Sequence, residues 1–243
     1  MSELIKLHSH GNSISVIALR RHRIFRKVAH SRNAKTLLKN ELSGLKWYES
    51  QRKNFPSMSQ VSLFKLNENI LDIPILEGQQ VSYEAPLKST INFVLRALEH
   101  YALIWPPGKK GAVHGDLTMD NIFFSEQGVF FFDWEHFSEE GEVWGFDAVY
   151  LVLSSILLND FKKNVKLGEQ KLILKVWRKL AEIGVSLSFL ASPLSTIIGI
   201  LTTDPKWSII ITNSPSKLFP LLLSPKQVAD MDQIFENITV NIT

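Results

Sequence analysis

The chain has 243 residues, 45% of them hydrophobic, and its 27 Lys and Arg against 24 Asp and Glu leave a net charge of +3. That is enough apolar material for one large or two small packed cores, which argues against disorder. With no cysteine, disulfides and thiolate metal sites are excluded and a reducing, cytoplasmic setting is the easier fit, while the longest apolar runs, near 148–158 and 218–223, fall short of the roughly 20 residues of a membrane span.

In chain order, Met1 to His10 lacks the long apolar core of a signal peptide. Ser13 to Leu19 and Arg23 to Ala29 read as two strands of a hairpin joined by a basic turn. A helix follows, with Asn33 as its expected N-cap and Leu37, Leu38, Glu41, Leu42, Leu45 and Tyr48 at helical spacing, until the polar segment Glu49 to Pro56. Across this region Arg20, Arg21, Arg23, Arg26, Lys27, Arg32, Lys35 and Lys39 occur with no acid between them. Such asymmetry marks either contact with phosphates or an anionic surface, or a solvated face. Only Phe25 is interleaved, so nucleic acid is not expected, whereas peripheral contact with a membrane stays open.

Val61 to Leu66 and Ile70 to Leu76 read as two further strands, and Glu77-Gly78-Gln79-Gln80 as a turn or hinge. From Pro86 to Ile104 the apolar positions follow an amphipathic helix that ends before Trp105-Pro106-Pro107-Gly108. Beyond residue 145, Phe146 to Leu158, Gln170 to Ile183 and Pro225 to Ile238 are predicted helices. Ser186 to Phe219 is apolar but punctuated by Pro193, Pro205 and Pro215, which suggests short helices. The tripeptides Asn237-Ile238-Thr239 and Asn241-Ile242-Thr243 match glycosylation acceptors, and with no secretion signal expected they are read as coincidence.

The chemistry concentrates between His114 and Glu135. There the chain reads His114-Gly115-Asp116-Leu117-Thr118-Met119-Asp120-Asn121, then two apolar runs, Ile122 to Phe124 and Val129 to Phe132, around Ser125-Glu126-Gln127-Gly128, and then Asp133-Trp134-Glu135. Two short runs about such a turn predict a β-hairpin. Asn121 at its entrance and Asp133 at its exit would then lie side by side, with Asp116 on the loop before. Phosphoryl transfer needs such a set: a carboxylate to orient and deprotonate the attacking hydroxyl, and oxygen ligands to hold Mg2+ against nucleotide phosphates. The plainer reading, a polar hairpin whose acids satisfy backbone donors, does not account for the whole set.

The His114-Gly115-Asp116 and Phe132-Asp133-Trp134-Glu135 segments resemble the catalytic region of the aminoglycoside phosphotransferase and choline kinase group, which shares its architecture with protein kinases. The resemblance implies an α+β, bilobal protein-kinase-like fold, with a small N-terminal antiparallel sheet and one helix in residues 1–78 and a mainly helical C-terminal lobe in residues 79–243. It implies that Asp116 is the catalytic base, that His114 braces the loop, and that Asn121 and Asp133 hold Mg2+. It further implies a strand lysine that contacts the phosphates of ATP and pairs with a helix glutamate, for which Lys27 and Glu41 are the best placed candidates. Because strand side chains alternate, a shift of one residue would exchange Lys27 for Arg26. The full glycine motif of protein kinases is missing, and only His10-Gly11-Asn12-Ser13 remains, where backbone donors near Gly11 could approach phosphates. Asp147, in Gly145-Phe146-Asp147, resembles the acid that anchors the catalytic loop in this group, a role compatible with helix capping.

The function these residues imply is ATP- and Mg2+-dependent transfer of the γ-phosphoryl group to a hydroxyl of a sugar, glycan or amino alcohol. For the acceptor, Glu135 stands where choline-kinase-like relatives place an acid beside the reacting hydroxyl, while Glu139, Glu140 and Glu142 suit a solvated loop. Trp134, Trp144 and Trp207 could stack on a sugar or choline group, or belong to the core. Two rivals are a kinase-fold protein that binds nucleotide or a partner without turnover, and a protein kinase. The second would need a full glycine loop and an Ala-Pro-Glu anchor, and Glu135 to Asp147 contains none.

Overall fold

The computed structural model describes residues 4–10, 14–19, 23–53, 65–75, 78–81, 86–105, 107–108, 111–126, 128–141, 143–160, 167–203 and 223–242. They form two compact units. The first comprises Met1–Gln80, Ala112–Asp116 and Asn121–Glu140, and the second Val81–Gly111, Leu117–Asp120 and Gly141–Thr243.

The first unit is built on a five-stranded antiparallel sheet in the order β1-β2-β3-β5-β4, from β1 (Leu4–His10), β2 (Ile14–Leu19), β3 (Ile24–Ala29), β4 (Lys65–Asn67) and β5 (Ile70–Pro74). The expected hairpin is β2–β3, in register from Ile14↔Ala29 to Leu19↔Ile24. β1 was not expected from the sequence. It adds an outer strand along β2, with Leu4 opposite Leu19 and His10 opposite Ile14. Of the strand predicted at 61–66, residues 61–64 lie outside the described residues.

Between β3 and β4 runs α1 (Arg32–Arg52), which packs on β3 and β5. Ser31, not Asn33, is its N-cap: the Ser31 hydroxyl accepts from the Ala34 N–H, and Asn33 already lies inside the helix. The hydroxyl satisfies one of the donors that a helix start leaves open. The helix also outruns the polar signal at Glu49, because Arg52 is buried with its guanidinium 4.3 Å from the Phe130 ring centroid, a cation–π contact that keeps the last turn against the core. The inner face of α1 carries Ala34, Leu38, Glu41, Gly44, Leu45 and Tyr48. A two-stranded sheet, β6 (Ile122–Ser125) with β7 (Gly128–Phe131), completes this unit as the predicted hairpin.

In the second unit α2 (Leu87–Ile104), α3 (Phe146–Asp160), α4 (Leu167–Glu182), α5 (Leu187–Ala191), α6 (Pro193–Thr203) and α7 (Pro225–Val240) pack around one another. Buried residues occupy every position of α3 from Phe146 to Ile156, as expected of a helix surrounded by others. Trp177 of α4 stacks on Phe235 of α7 at 4.4 Å and donates its indole N–H to Thr239. Asp232 of α7 accepts the Leu194 and Ser195 N–H groups, both at 3.0 Å, so one helix caps another through a carboxylate suited to the positive helix start. Ser224 at the N-cap and Gln227 at N3 form a capping box that brackets Pro225, the arrangement that makes this helix start legible in a sequence. Among the described residues, no helix is long and apolar enough to cross a membrane.

Candidate active site

Strand alternation alone leaves Arg26 and Lys27 interchangeable, and the sheet register separates them. Arg26 stands opposite Asp72 of β5 and makes a two-pronged ion pair with it, Nε to Oδ1 and Nη2 to Oδ2, both at 2.7 Å. Lys27 turns to the other face. Its Nζ lies 2.7 Å from Glu41 Oε1 and 2.9 Å from Oε2, and 2.6 Å from Asp133 Oδ1. One ammonium therefore joins a strand, a helix and the exit of the hairpin.

The electrostatics follow from that convergence. Burial by itself lowers the Lys27 pKa, but the carboxylates of Asp133, Glu41 and Glu135 outweigh it and hold the ammonium charged. Burial raises the Glu41 carboxyl above the ordinary range, against the pull of Lys27. Asp133 leaves β7 in the left-handed region, φ 63°, a backbone state that non-glycine residues seldom adopt and that tends to persist where surrounding contacts enforce it. Its carboxylate is in contact with Lys27.

The hairpin brings the remaining residues together. The Phe132 N–H donates to the Asn121 carbonyl at 3.1 Å, which sets the entrance and exit of the hairpin side by side. Asn121 Nδ2 donates to the Asp116 carbonyl at 2.7 Å and lies 3.5 Å from Asp116 Oδ2. Its amide nitrogen is thereby committed to the loop, which leaves Oδ1 as the atom suited to a metal. Gly115 has φ 90°, a left-handed turn that glycine takes without strain, between His114 and Asp116.

His114 is fully buried, and its ring lies 4.4 Å from that of Trp134. Nε2 donates to the Phe132 carbonyl at 2.9 Å, and Nδ1 is placed to accept the Asp116 N–H at 3.4 Å. This is the pattern of a neutral imidazole protonated on Nε2. It ties the Asp116 loop to the residue before Asp133. Burial pushes its pKa down from 6.5 to about 4. The unfolded chain therefore takes up a proton that the folded chain refuses, and the stabilisation, complete above pH 6.5, is lost as the pH falls towards 4. We expect the stability advantage of the wild type over His114→Gln to shrink by about 2 kcal/mol between pH 7 and pH 5. Urea denaturation of both proteins at both pH values measures it, and the opposite contribution of Glu41, common to both, cancels. A pH-independent difference would contradict a neutral His114.

Several groups that hold α1 against the hairpin carry no obvious signal in the sequence. The Tyr48 hydroxyl accepts the Phe131 N–H at 3.2 Å and donates to the Val129 carbonyl at 3.4 Å. It occupies the free edge of β7 as a neighbouring strand would. Asn40 donates to the Glu135 carbonyl at 3.4 Å. Gly44 faces Trp134 and Phe137 so closely that a Cβ there would lie 2.6 Å from Trp134 Cβ and 2.9 Å from Phe137 Cβ. Those atoms are anchored to backbone and cannot swing aside. Gly44→Ala should therefore destabilise the protein by about 1–3 kcal/mol, against a gain in helix propensity of about 1 kcal/mol. A rise in melting temperature would show that the close approach is dispensable.

Trp134 is not a stacking platform for a ligand. It is fully buried, donates its indole N–H to the Phe131 carbonyl, and packs against Trp47, Tyr48 and Phe137. Trp144 is likewise buried, 5.9 Å from Tyr101, and Trp207 lies outside the described residues. Glu135 is 5% exposed, with Oε1 3.4 Å from His136 Nε2, and Glu139 and Glu140 are exposed. Asp147 is fully buried in the first turn of α3, where the helix dipole favours an acid. Gly11 and Glu142 lie outside the described residues.

No protein-family model matches the chain, and no curated protein matches it. Among solved structures, amicoumacin kinase hAmiN in complex with AMP-PNP, Ca2+ and Ami is similar over 99% of this chain and 90% of its own, at 11% identity and a TM-score of 0.50. The chain shares the α+β, protein-kinase-like fold of that kinase. ADP-bound aminoglycoside phosphotransferase APH(2'')-Ib is also similar, at 12% identity over 90% of this chain and 93% of that one, with a TM-score of 0.48. Within this kinase-like fold, the described residues contain no group of three or more His, Asp or Glu that could hold a metal alone. One carboxylate and one amide oxygen suit Mg2+, which keeps most of its shell for phosphates and water.

Proposed function

We propose that the protein is a small-molecule kinase that transfers the γ-phosphoryl group of ATP to a hydroxyl of a sugar, glycan or amino alcohol. The observation that carries this reading is the convergence of Glu41 and Asp133 on Lys27, next to a hairpin that sets Asn121 beside Asp116. A structural ion pair needs one acid for one base. A second acid, on a strained backbone, is explained if Asp133 gives up part of its hold on Lys27 when nucleotide and metal arrive.

In this reading the Lys27 ammonium, positioned by Glu41, meets the phosphates, and its fixed charge acts without reorganisation at the moment of reaction. Asn121 Oδ1 and the Asp133 carboxylate would hold Mg2+, which supplies neutralisation of the charge that develops on the phosphate oxygens. The Asp116 carboxylate orients the acceptor hydroxyl and takes its proton, with Asn121 and His114 fixing the loop that carries it. Gly11 would offer backbone donors to the phosphates, and Glu135 an acid near the acceptor. A cytoplasmic setting would supply the nucleotide.

The test is phosphoryl transfer from ATP to a panel of sugars, aminoglycosides and amino alcohols, with Mg2+ and with chelator, followed by mass of the product. Metal-dependent phosphorylation of one class supports the kinase and names the acceptor. Nucleotide binding without transfer to any of them would favour a binding protein, and no nucleotide binding would refute the reading.

A further inference from the structure

The outer face of α1 carries a second pattern, separate from the charges on its inner face. Arg32, Lys39, Lys46 and Lys53 recur every seven residues, which on a helix is one stripe with a step of about 10.5 Å. Lys35 joins the same stripe, and Thr36, Ser43 and Ser50, also seven apart, fill the gaps. All eight are exposed. No acid falls within this face, which spans about 100° of the helix. Among the described residues none of the five cations has an ion pair. Arg26 and Lys27, by contrast, are spent on Asp72, Glu41 and Asp133.

Five unpaired cations in a row about 32 Å long repel one another, and an ordinary solvated helix interleaves acids to relieve that. The row follows one uninterrupted helix, and it has no exposed large apolar residue on it. A flat anionic surface meets such a row along its whole length, whereas the backbone of a nucleic-acid duplex curves away from it. Nor is there an aromatic free to stack on bases: Trp47, at the margin, is engaged with Trp134 and Phe137.

We propose that the outer face of α1 docks the protein on the surface of a membrane rich in anionic lipid, by charge alone and without insertion. Binding of this kind is reversible and strongly dependent on salt, each basic residue near the surface contributing about fivefold to the partition. The surface does not depend on the chemistry proposed for the inner face.

Co-sedimentation with vesicles tests it, comparing phosphatidylcholine alone with phosphatidylcholine containing about one-third phosphatidylserine, at about 0.05 M and about 0.5 M salt. The wild type should bind the anionic vesicles at low salt, and neither neutral vesicles nor anionic ones at high salt. Combined Lys35→Gln, Lys39→Gln, Lys46→Gln and Lys53→Gln should lower the partition by about 100-fold or more, and the same four changed to Arg should retain it. Thermal melting of both variants shows whether they fold, and the arginine set remains informative if the glutamine set does not. Absence of wild-type binding to anionic vesicles, undiminished binding by a folded glutamine set, or tighter binding to duplex DNA at matched phosphate concentration would overturn the proposal.

Discussion

Lys27→Met should destabilise the folded protein by about 3–5 kcal/mol, since it leaves the Glu41 and Asp133 carboxylates facing each other in a site that was built around a cation. Glu41 is fully buried and the Asp133 side chain is 17% exposed, so neither can recover its full hydration. The effect should be non-additive. Lys27→Met combined with Glu41→Gln removes one of the two stranded charges, and we expect it to be more stable than Lys27→Met alone. Urea denaturation of the two single variants and the double variant measures this coupling. Equal stability of Lys27→Met and wild type would mean that the three groups are not held in the contact described.

Asp116→Asn should lower kcat by about 10²–10⁴-fold while nucleotide affinity changes little, because the substitution removes the proposed proton acceptor and preserves shape. Asp133→Ala should behave differently. It removes the proposed metal ligand together with a partner of Lys27, so both nucleotide affinity and stability should fall. Isothermal titration with a non-hydrolysable ATP analogue, beside turnover measurements, separates the two outcomes. If Asp116→Asn turned over normally, its assignment as the base would be lost even if the protein were a kinase.

The hairpin and its three polar residues were legible because the evidence for them is local. Two apolar runs about a short turn bring Asn121 and Asp133 together whatever the rest of the chain does. Lys27 was harder, since alternation permits either it or Arg26 to face inward, and the deciding fact, Asp72 opposite Arg26 on β5, is a long-range pairing. Asn33 and Ser31 are both good caps, and only the backbone conformation at Ser31 distinguishes them. Trp134 could not be read as core from its neighbours in sequence, because what buries it is a helix some ninety residues earlier that presents Gly44. A lone glycine in the middle of a predicted helix was the available clue, since its cost in propensity asks for a packing reason.

The grip of Tyr48 on the edge of β7 has a consequence for timing. Swinging α1 outward would break both hydrogen bonds of that hydroxyl, uncover Leu38 and Leu45, and strand Glu41 without its lysine, so no inexpensive inactive posture of the helix is available. The entropy of arranging these charges is spent as the chain folds, before any ligand arrives. On the proposed function, an incoming nucleotide would meet α1 already in place, with only the Lys27–Asp133 contact left to rearrange, and no helix swing would act as an on–off switch.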